Sequence, residues 1–547
     1  MLPKARPPAV LASLMEKDPK LTAVQSVSPM LAISPSASDS QANLANNRDT
    51  THSKSASVLW PFTWACFFFL FLWAMDFPKP YFDDLFYNGA ALNLAQGGDF
   101  SNPLLARQGF PNHFFFVYPP LHSYAVYGWL SLFGISSASM LGFQNTMHLI
   151  IAAAMILILK RHNSPAIFSW LAPLGVAAVF LKPGLRPEAL AVALTMAGYT
   201  LLTYCRTAGL RCWIAFVLMS LGASAAPRTA PFSAALAAMG AWEWMRSAPE
   251  NKSSRLRLCV LAGLALAVAG VVFLALIQFQ LREFMETFHL HYTRLEHGTL
   301  RLLYRYLRDL EPGVIGILWL AIVVLCASLQ GPVDELSRVC YCLAGVLAFM
   351  AFTGALGHGS SWYVVFILFL MAGSLVKRIP AVWGTLLRWT VVFLLLMANS
   401  AALIGAFGQL TGKVEQRPPE NLETIRQFRS TAEHPLVLDV AVARYAFDYR
   451  LPVGCFDFEF AAHFPAYTAT DIKPRDGDIF LLSPGTALGI NGKGNCFYTI
   501  EWWNVPGLEN WSQLKYPHQV YVIPARDLLR TKTAAQTADM SGPTNPQ

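Results

Sequence analysis

Two adjacent carboxylates, Asp83 and Asp84, follow an apolar run at 56–75. They open a stretch in which Ala90, Ala91, Leu94 and Ala95 recur at helical spacing up to a stop at Gly97 and Gly98. Three chemistries are open to such a pair. It can cap the helix and complement its dipole. It can act as a general base, because partial desolvation at a lipid boundary raises carboxylate basicity enough to take a proton from a hydroxyl. It can also share a divalent metal.

Cations able to bind anions fall in short gaps between apolar runs: Lys182 and Arg186 in one gap, with the acid Glu188 just after it, Arg228 between Pro227 and Thr229 in another, and His358 in the turn 357–363. Arginine grips phosphate oxygens bidentately, so these cations suit a phosphate buried near lipid. The plainer alternatives are snorkelling to headgroups for Arg228 and a polar turn residue for His358. The segment 281–312 carries His289, His291, His297 and five arginines, interleaved with Phe284, Phe288, Leu295 and Leu302. Its histidine spacing is poor for one metal site on a helical face; a solvated face, or a lid over a lipid phosphate, fits the pattern better.

The elements that must position these groups are membrane helices. Of 547 residues, 54% are hydrophobic and 14% charged, and the apolar residues form long runs. Runs at 56–75, 138–159, 165–181, 187–204, 212–226, 229–245, 258–280, 313–329, 339–356, 361–376 and 387–409 predict a mainly α, polytopic membrane helix bundle of about eleven spans. The first run lies too far from Met1, and lacks the small-residue cleavage site, for a secretory signal peptide. Lys and Arg cluster in alternate gaps, at 160–161, 206–211, 246–257, 338 and 377–388, which the positive-inside rule assigns to the cytoplasm. The loops 76–137 and 281–312 are then outside, with the C-terminus. The net charge of +8 is spread through these gaps, so nucleic acid is not an expected partner.

Outside the transmembrane region 56–410 the composition changes. Residues 1–55 read as a disordered cytoplasmic tail rich in Ser, Pro, Ala and Asn. Residues 413–530 read as a small soluble α/β extracytoplasmic domain, with a helix at 421–431, an apolar run at 436–440 and strand-like runs at 479–482, 497–502 and 520–523. A second unstructured tail covers 531–547. Nine cysteines contain no CxxC pair; Cys455 and Cys496 share the polar domain and could be bridged in an oxidising compartment.

The order of motifs resembles the membrane-embedded C-type glycosyltransferases, which take a sugar from a polyprenyl phosphate. In that superfamily the first outside loop opens with an acidic pair, here Asp83-Asp84, followed by a Tyr (Tyr87) and a Gly-Asp turn (Gly98-Asp99). A Pro-Pro-Leu element and a Phe-Gly turn come next, here Tyr118-Pro119-Pro120-Leu121 and Phe133-Gly134, and a later outside turn pairs Arg with an acid, here Arg186 and Glu188. The chain departs from many relatives in having Val117-Tyr118 where they carry a Lys, and Glu188 where lipid-modifying members carry Asp. The resemblance spans roughly 56–240 by motif and the rest by topology. It implies an inverting transfer from a polyprenyl-phosphate-linked sugar to a glycan, lipid or protein acceptor, in a membrane such as the bacterial inner membrane with a periplasmic C-terminus. Asp83 or Asp84 would be the base, with Tyr118, Lys182, Arg186, Glu188, Arg228 and His358 around the substrate. No cofactor is assigned, and a divalent metal shared by Asp83 and Asp84 fits the chemistry. The competing classes are a polytopic transporter, which would place ionisable groups at the midplane of broken spans, and a non-enzymatic scaffold displaying the C-terminal domain.

Overall fold

The computed structural model describes residues 58–75, 77–78, 83–103, 116–180, 185–247, 252–294, 334–352, 361–377 and 379–410, together with four strands at 436–438, 456–458, 479–482 and 521–524. The described chain is mainly helical. Helix α1 runs Val58–Ala74, followed by α2 (Asp83–Ala95), α3 (Leu121–Phe133), α4 (Ser137–Arg161), α5 (Ala166–Phe180), α6 (Pro187–Tyr204) and α7 (Leu210–Ala225). A single 3-10 turn, Pro227–Thr229, leads into α8 (Ala230–Ser247), and then come α9 (Lys252–Leu276), α10 (Leu281–Arg294), α11 (Glu335–Phe352), α12 (Ser361–Leu375) and α13 (Ala381–Leu410). The expected span at 313–329, both tails, the segment 295–312 and the expected helix at 421–431 lie outside the described residues.

Three helices, Ser137–Arg161, Ser253–Leu276 and Ala381–Ser400, are long and apolar enough to cross a bilayer; Val58–Ala74, Ala166–Phe180, Leu210–Ala225 and Phe366–Leu375 are shorter apolar helices. On length and composition the chain is a membrane protein. Helix α4 is mostly buried among its neighbours, whereas α9 and α13 leave Leu256, Val260, Leu264 and Val271, and Val382, Trp383, Leu386, Trp389 and Phe393, exposed. Stripes of that size are stable against hydrocarbon and not against water.

Close packing fixes the helix that matters most for the site. A methyl group on Gly222 of α7 would stand 2.4 Å from Thr195 Oγ1 and 2.7 Å from the Ala191 carbonyl of α6, so only glycine lets the two backbones approach this far. Helix α6 begins with Pro187 at its first position and Glu188 in its first turn, a helix-start pattern that suits the dipole. Helix α1 buries Ala65, Phe68, Phe69 and Leu72 on one face, and its Trp73 Nε1 donates to the Ala138 carbonyl at 2.9 Å at the start of α4.

The expected span at 258–280 ends early. The chain turns through Gln278 and Phe279, both at positive φ, and α10 starts at Leu281. Helix α10 is amphipathic: Phe284 is buried and meets Phe116 and Phe273 with ring centroids 6.0 and 5.2 Å apart, while Arg282 pairs with Glu286 and His289 is exposed. The solvated-face reading therefore describes His289.

The strands β1 (Leu436–Leu438), β2 (Phe456–Phe458), β3 (Ile479–Leu482) and β4 (Tyr521–Pro524) form one mixed sheet in the order β2-β1-β3-β4. Strand β1 is parallel to β2 and β3, with Leu436 opposite Phe456 and Ile479, and β3 is antiparallel to β4 with Leu481 opposite Val522. Parallel neighbours need crossover connections, which the intervals between these strands are long enough to supply. Strand β2 lies where no strand was expected; the expected strand at 497–502, and Cys455 and Cys496, lie outside the described residues.

Candidate functional site

The chemistry-bearing residues gather where several helices begin. Asp84, in the first turn of α2, is fully buried. Its Oδ1 accepts the Leu185 N–H at 2.8 Å, a bond across 101 positions of sequence. One turn further along α2, the Asn88 side-chain amide donates to the Leu185 carbonyl at 2.8 Å and to the Asp84 carbonyl at 2.8 Å. Both backbone polar groups of Leu185 are therefore held by α2. The i, i+4 spacing of Asp84 and Asn88, which puts them on one helical face, is what makes this geometry available. His122 of α3 completes the group, its Nε2 lying 2.9 Å from Asn88 Oδ1.

The next residue along from Leu185 carries the cation. Arg186 binds Glu188 bidentately, Nη2 to Oε1 at 2.9 Å and Nε to Oε2 at 3.2 Å, and Glu188 is 1% exposed. The same guanidinium lies over the Tyr87 ring at 5.3 Å from its centroid, and Tyr87 meets Tyr118 edge to face at 4.9 Å. Tyr118 is buried beside these charges.

Two more helix starts close the group. Arg228 sits in the 3-10 turn before α8, and next to it the Thr229 hydroxyl bonds the Tyr363 hydroxyl at the start of α12. Tyr363 in turn stacks on Phe232, with centroids 4.0 Å apart. Of the charged groups around the Arg228 guanidinium, Glu188 attracts it and Arg186 repels it.

Electrostatically, the starts of α2, α6, α8 and α12, together with the segment leading into α3, bring the positive ends of helix dipoles to one place. Burial pushes the Tyr118 hydroxyl above its ordinary range, with Glu188 adding to the effect and Arg228 and Arg186 opposing it, so it is a neutral donor at physiological pH. Burial lowers His122 to about 4 against a smaller opposing pull from Glu188, so its imidazole is neutral. Such a site offers buried cations, neutral hydroxyl donors and carboxylates within one apolar frame. That combination can bind an anion and move a proton.

Of the residues expected from sequence, Asp84, Tyr118, Arg186, Glu188 and Arg228 are brought together. Asp83 opens α2, with its side chain outside the described set, and Lys182 and His358 lie outside the described residues. Among the described residues no group of three or more His, Cys, Asp or Glu side chains is placed to hold a metal ion. The sequence reading did not single out Asn88, His122, Thr229 or Tyr363. Asn88 carried the one available signal, its position one turn after Asp84.

No protein-family model matches the chain, and no curated protein matches it.

Proposed function

We propose that this protein is a membrane glycosyltransferase that moves a sugar from a polyprenyl-phosphate donor to an acceptor hydroxyl of a glycan, lipid or protein. In this reading the chain has about eleven spans with a cytoplasmic N-terminus, its C-terminal α/β domain and the start of α2 face the outside, and the membrane is the bacterial inner membrane. The acidic pair Asp83-Asp84 takes the acceptor proton. The acceptor oxygen forms a bond to the anomeric carbon as the bond from that carbon to the phosphate oxygen breaks, inverting the centre. The polyprenyl phosphate leaves with the electron pair, and Arg228 and Arg186 stabilise its charge, helped by the converging helix starts.

The observation that carries this reading is the convergence itself. Asp84, Arg186, Glu188, Tyr118 and Arg228 come from four separate segments and meet at helix starts in a protein otherwise built of apolar helices. One-step transfer requires base and phosphate-binding cations to act together, and a purely structural acidic cap does not. A transporter is commonly built from repeated halves, and the sequence carries no internal repeat.

The test is to incubate purified protein in lipid nanodiscs with a panel of polyprenyl-phosphate-linked sugars and a panel of hydroxyl-bearing glycan, lipid and peptide acceptors, and to follow release of polyprenyl phosphate. Release with at least one donor, abolished in Asp83→Asn/Asp84→Asn, is the expected result. Release from no donor, or release unaffected by the double substitution, would overturn the assignment.

A further inference from the structure

Leu185 is held by a clamp that a helix cap does not explain. Asp84 and Asn88 stand one turn apart on α2 and between them satisfy both the N–H and the C=O of this one residue, as a neighbouring strand would. The orientation of the Asn88 amide is determined by its contacts. Its nitrogen faces two carbonyls, which can only accept, so its oxygen must face His122. A carbonyl oxygen requires a donor, so His122 carries its proton on Nε2. Its Nδ1 is buried without a hydrogen-bond partner among the described atoms, and the ring packs edge-on to Phe143. A buried polar atom left without a partner is costly, and a leucine or phenylalanine would pack here without that cost. What the histidine supplies in exchange is a donor that prevents Asn88 from flipping.

We infer that Asn88 and His122 are positioning residues, locking the turn at Leu185 onto α2 so that Arg186 and Glu188 stand beside Tyr87 and Tyr118. If Asn88 flipped, its oxygen would meet two carbonyl oxygens and the turn would lose both the attraction and its register. The next residues along are the cation and its partner acid, so freedom at Leu185 passes directly into the placement of the charges. This step rests on the transferase reading only for its effect on catalysis. The mechanical claim stands on the contacts alone.

Hydrogen–deuterium exchange of the full chain in nanodiscs, read on peptides covering 185–188 and, as a control, 140–158 in α4, tests the clamp. Asn88→Leu and Asn88→Asp remove both amide donors, and His122→Leu removes the donor that orients them. Each is expected to speed exchange at 185–188 by about tenfold, the effect of one lost buried hydrogen bond, with α4 unchanged. His122→Gln keeps a donor and should restore protection. In the transfer assay, kcat should fall with the 185–188 protection while KM for the donor changes less, and His122→Gln should recover both. Wild-type protection at 185–188 in the Asn88→Asp and His122→Leu proteins overturns the inference. So does a His122→Gln protein as unprotected as His122→Leu, or loss of protection spread equally into α4. A wild-type protein that shows this exchange pattern but transfers no sugar leaves the clamp standing and removes the transferase reading.

Discussion

Asp84 and Asp334 each stand at a helix start, and they do different things. Asp334 precedes α11; its Oδ1 accepts the Ser337 N–H at 2.7 Å, three residues along, and the Ser374 hydroxyl donates to the same carboxylate at 2.7 Å. That is a local helix cap, reinforced by one neighbour. Asp84 sits inside the first turn of α2, and its Oδ1 takes an N–H from a residue 101 positions away, in the turn that presents Arg186 and Glu188. From sequence alone either could have been a cap. Both carboxylates reach another element, so the difference lies in what the partner presents: Asp334 holds a serine hydroxyl beside its own cap, whereas Asp84 holds the backbone that leads into Arg186 and Glu188.

The sharpest way to break this comparison is to neutralise each acid. Asp84→Asn should slow sugar transfer by about 10²–10⁴-fold, the range for losing a general base or its placement. Asp334→Asn should leave transfer unchanged, because asparagine caps as well as aspartate. Initial rates of polyprenyl phosphate release decide it, and equal rates for the two variants would remove the distinction.

A second measurement concerns the pair that Asp84 helps to place. Arg186 and Glu188 are both buried, so Glu188→Gln strands a cation and should destabilise the protein by about 3–5 kcal/mol. Arg186→Leu with Glu188→Leu together should be destabilising by much less than the sum of the single changes. Thermal unfolding in one detergent checks this. Additive losses would show that the two side chains do not act as a pair.

Acidity supplies a third test, at the imidazole that orients the clamp. His122 titrates at about 4 in the folded protein, against 6.5 for an ordinary histidine. Between those values the unfolded chain binds the extra proton, so stability rises with pH: the contribution is complete above about 6.5 and is lost as pH falls towards 4. The full effect is at most about 3 kcal/mol. His122→Gln should flatten the slope of melting temperature over that range; an unchanged slope would assign it to other groups.

The smallest effect is expected at the cap itself. Asp334→Ala should cost about 1 kcal/mol of stability without altering transfer, the usual loss on removing an aspartate cap. A loss of transfer in that variant would mean that the start of α11 also communicates with the site.

Much of the helical layout was legible because it is written in local hydropathy. The run expected at 165–181 is α5 at Ala166–Phe180, and the run expected at 187–204 is α6 at Pro187–Tyr204. In each case a stretch of apolar side chains ends at a proline or a polar turn, and backbone hydrogen bonds within one helix need no distant partner. The end of α9 was misjudged because Ile277 and Phe279 extend the apolar run past Leu276, although Gln278 and Gln280 interrupt it and the chain turns at Gln278 and Phe279. Strand β2 was missed because three residues, Phe456–Phe458, carry little pattern of their own and are strand only through the ladder with β1.

The sequence by itself determined that the chain is a membrane protein of apolar helices, that Asp84, Arg186, Glu188 and Arg228 stand near helix starts, and which chemistries those residue types permit. Hydropathy and side-chain chemistry are properties of short stretches, so they can be read without coordinates. Only the tertiary structure decided that these residues meet, that Asp84 reaches Leu185 instead of serving only its own helix, and that Asn88, His122, Thr229 and Tyr363 belong with them. A hydrogen bond between positions 84 and 185 depends on how five helix starts are placed by packing elsewhere, including the close approach of α6 and α7 at Gly222. No local pattern encodes that placement, because it is the joint result of contacts spread along the whole bundle.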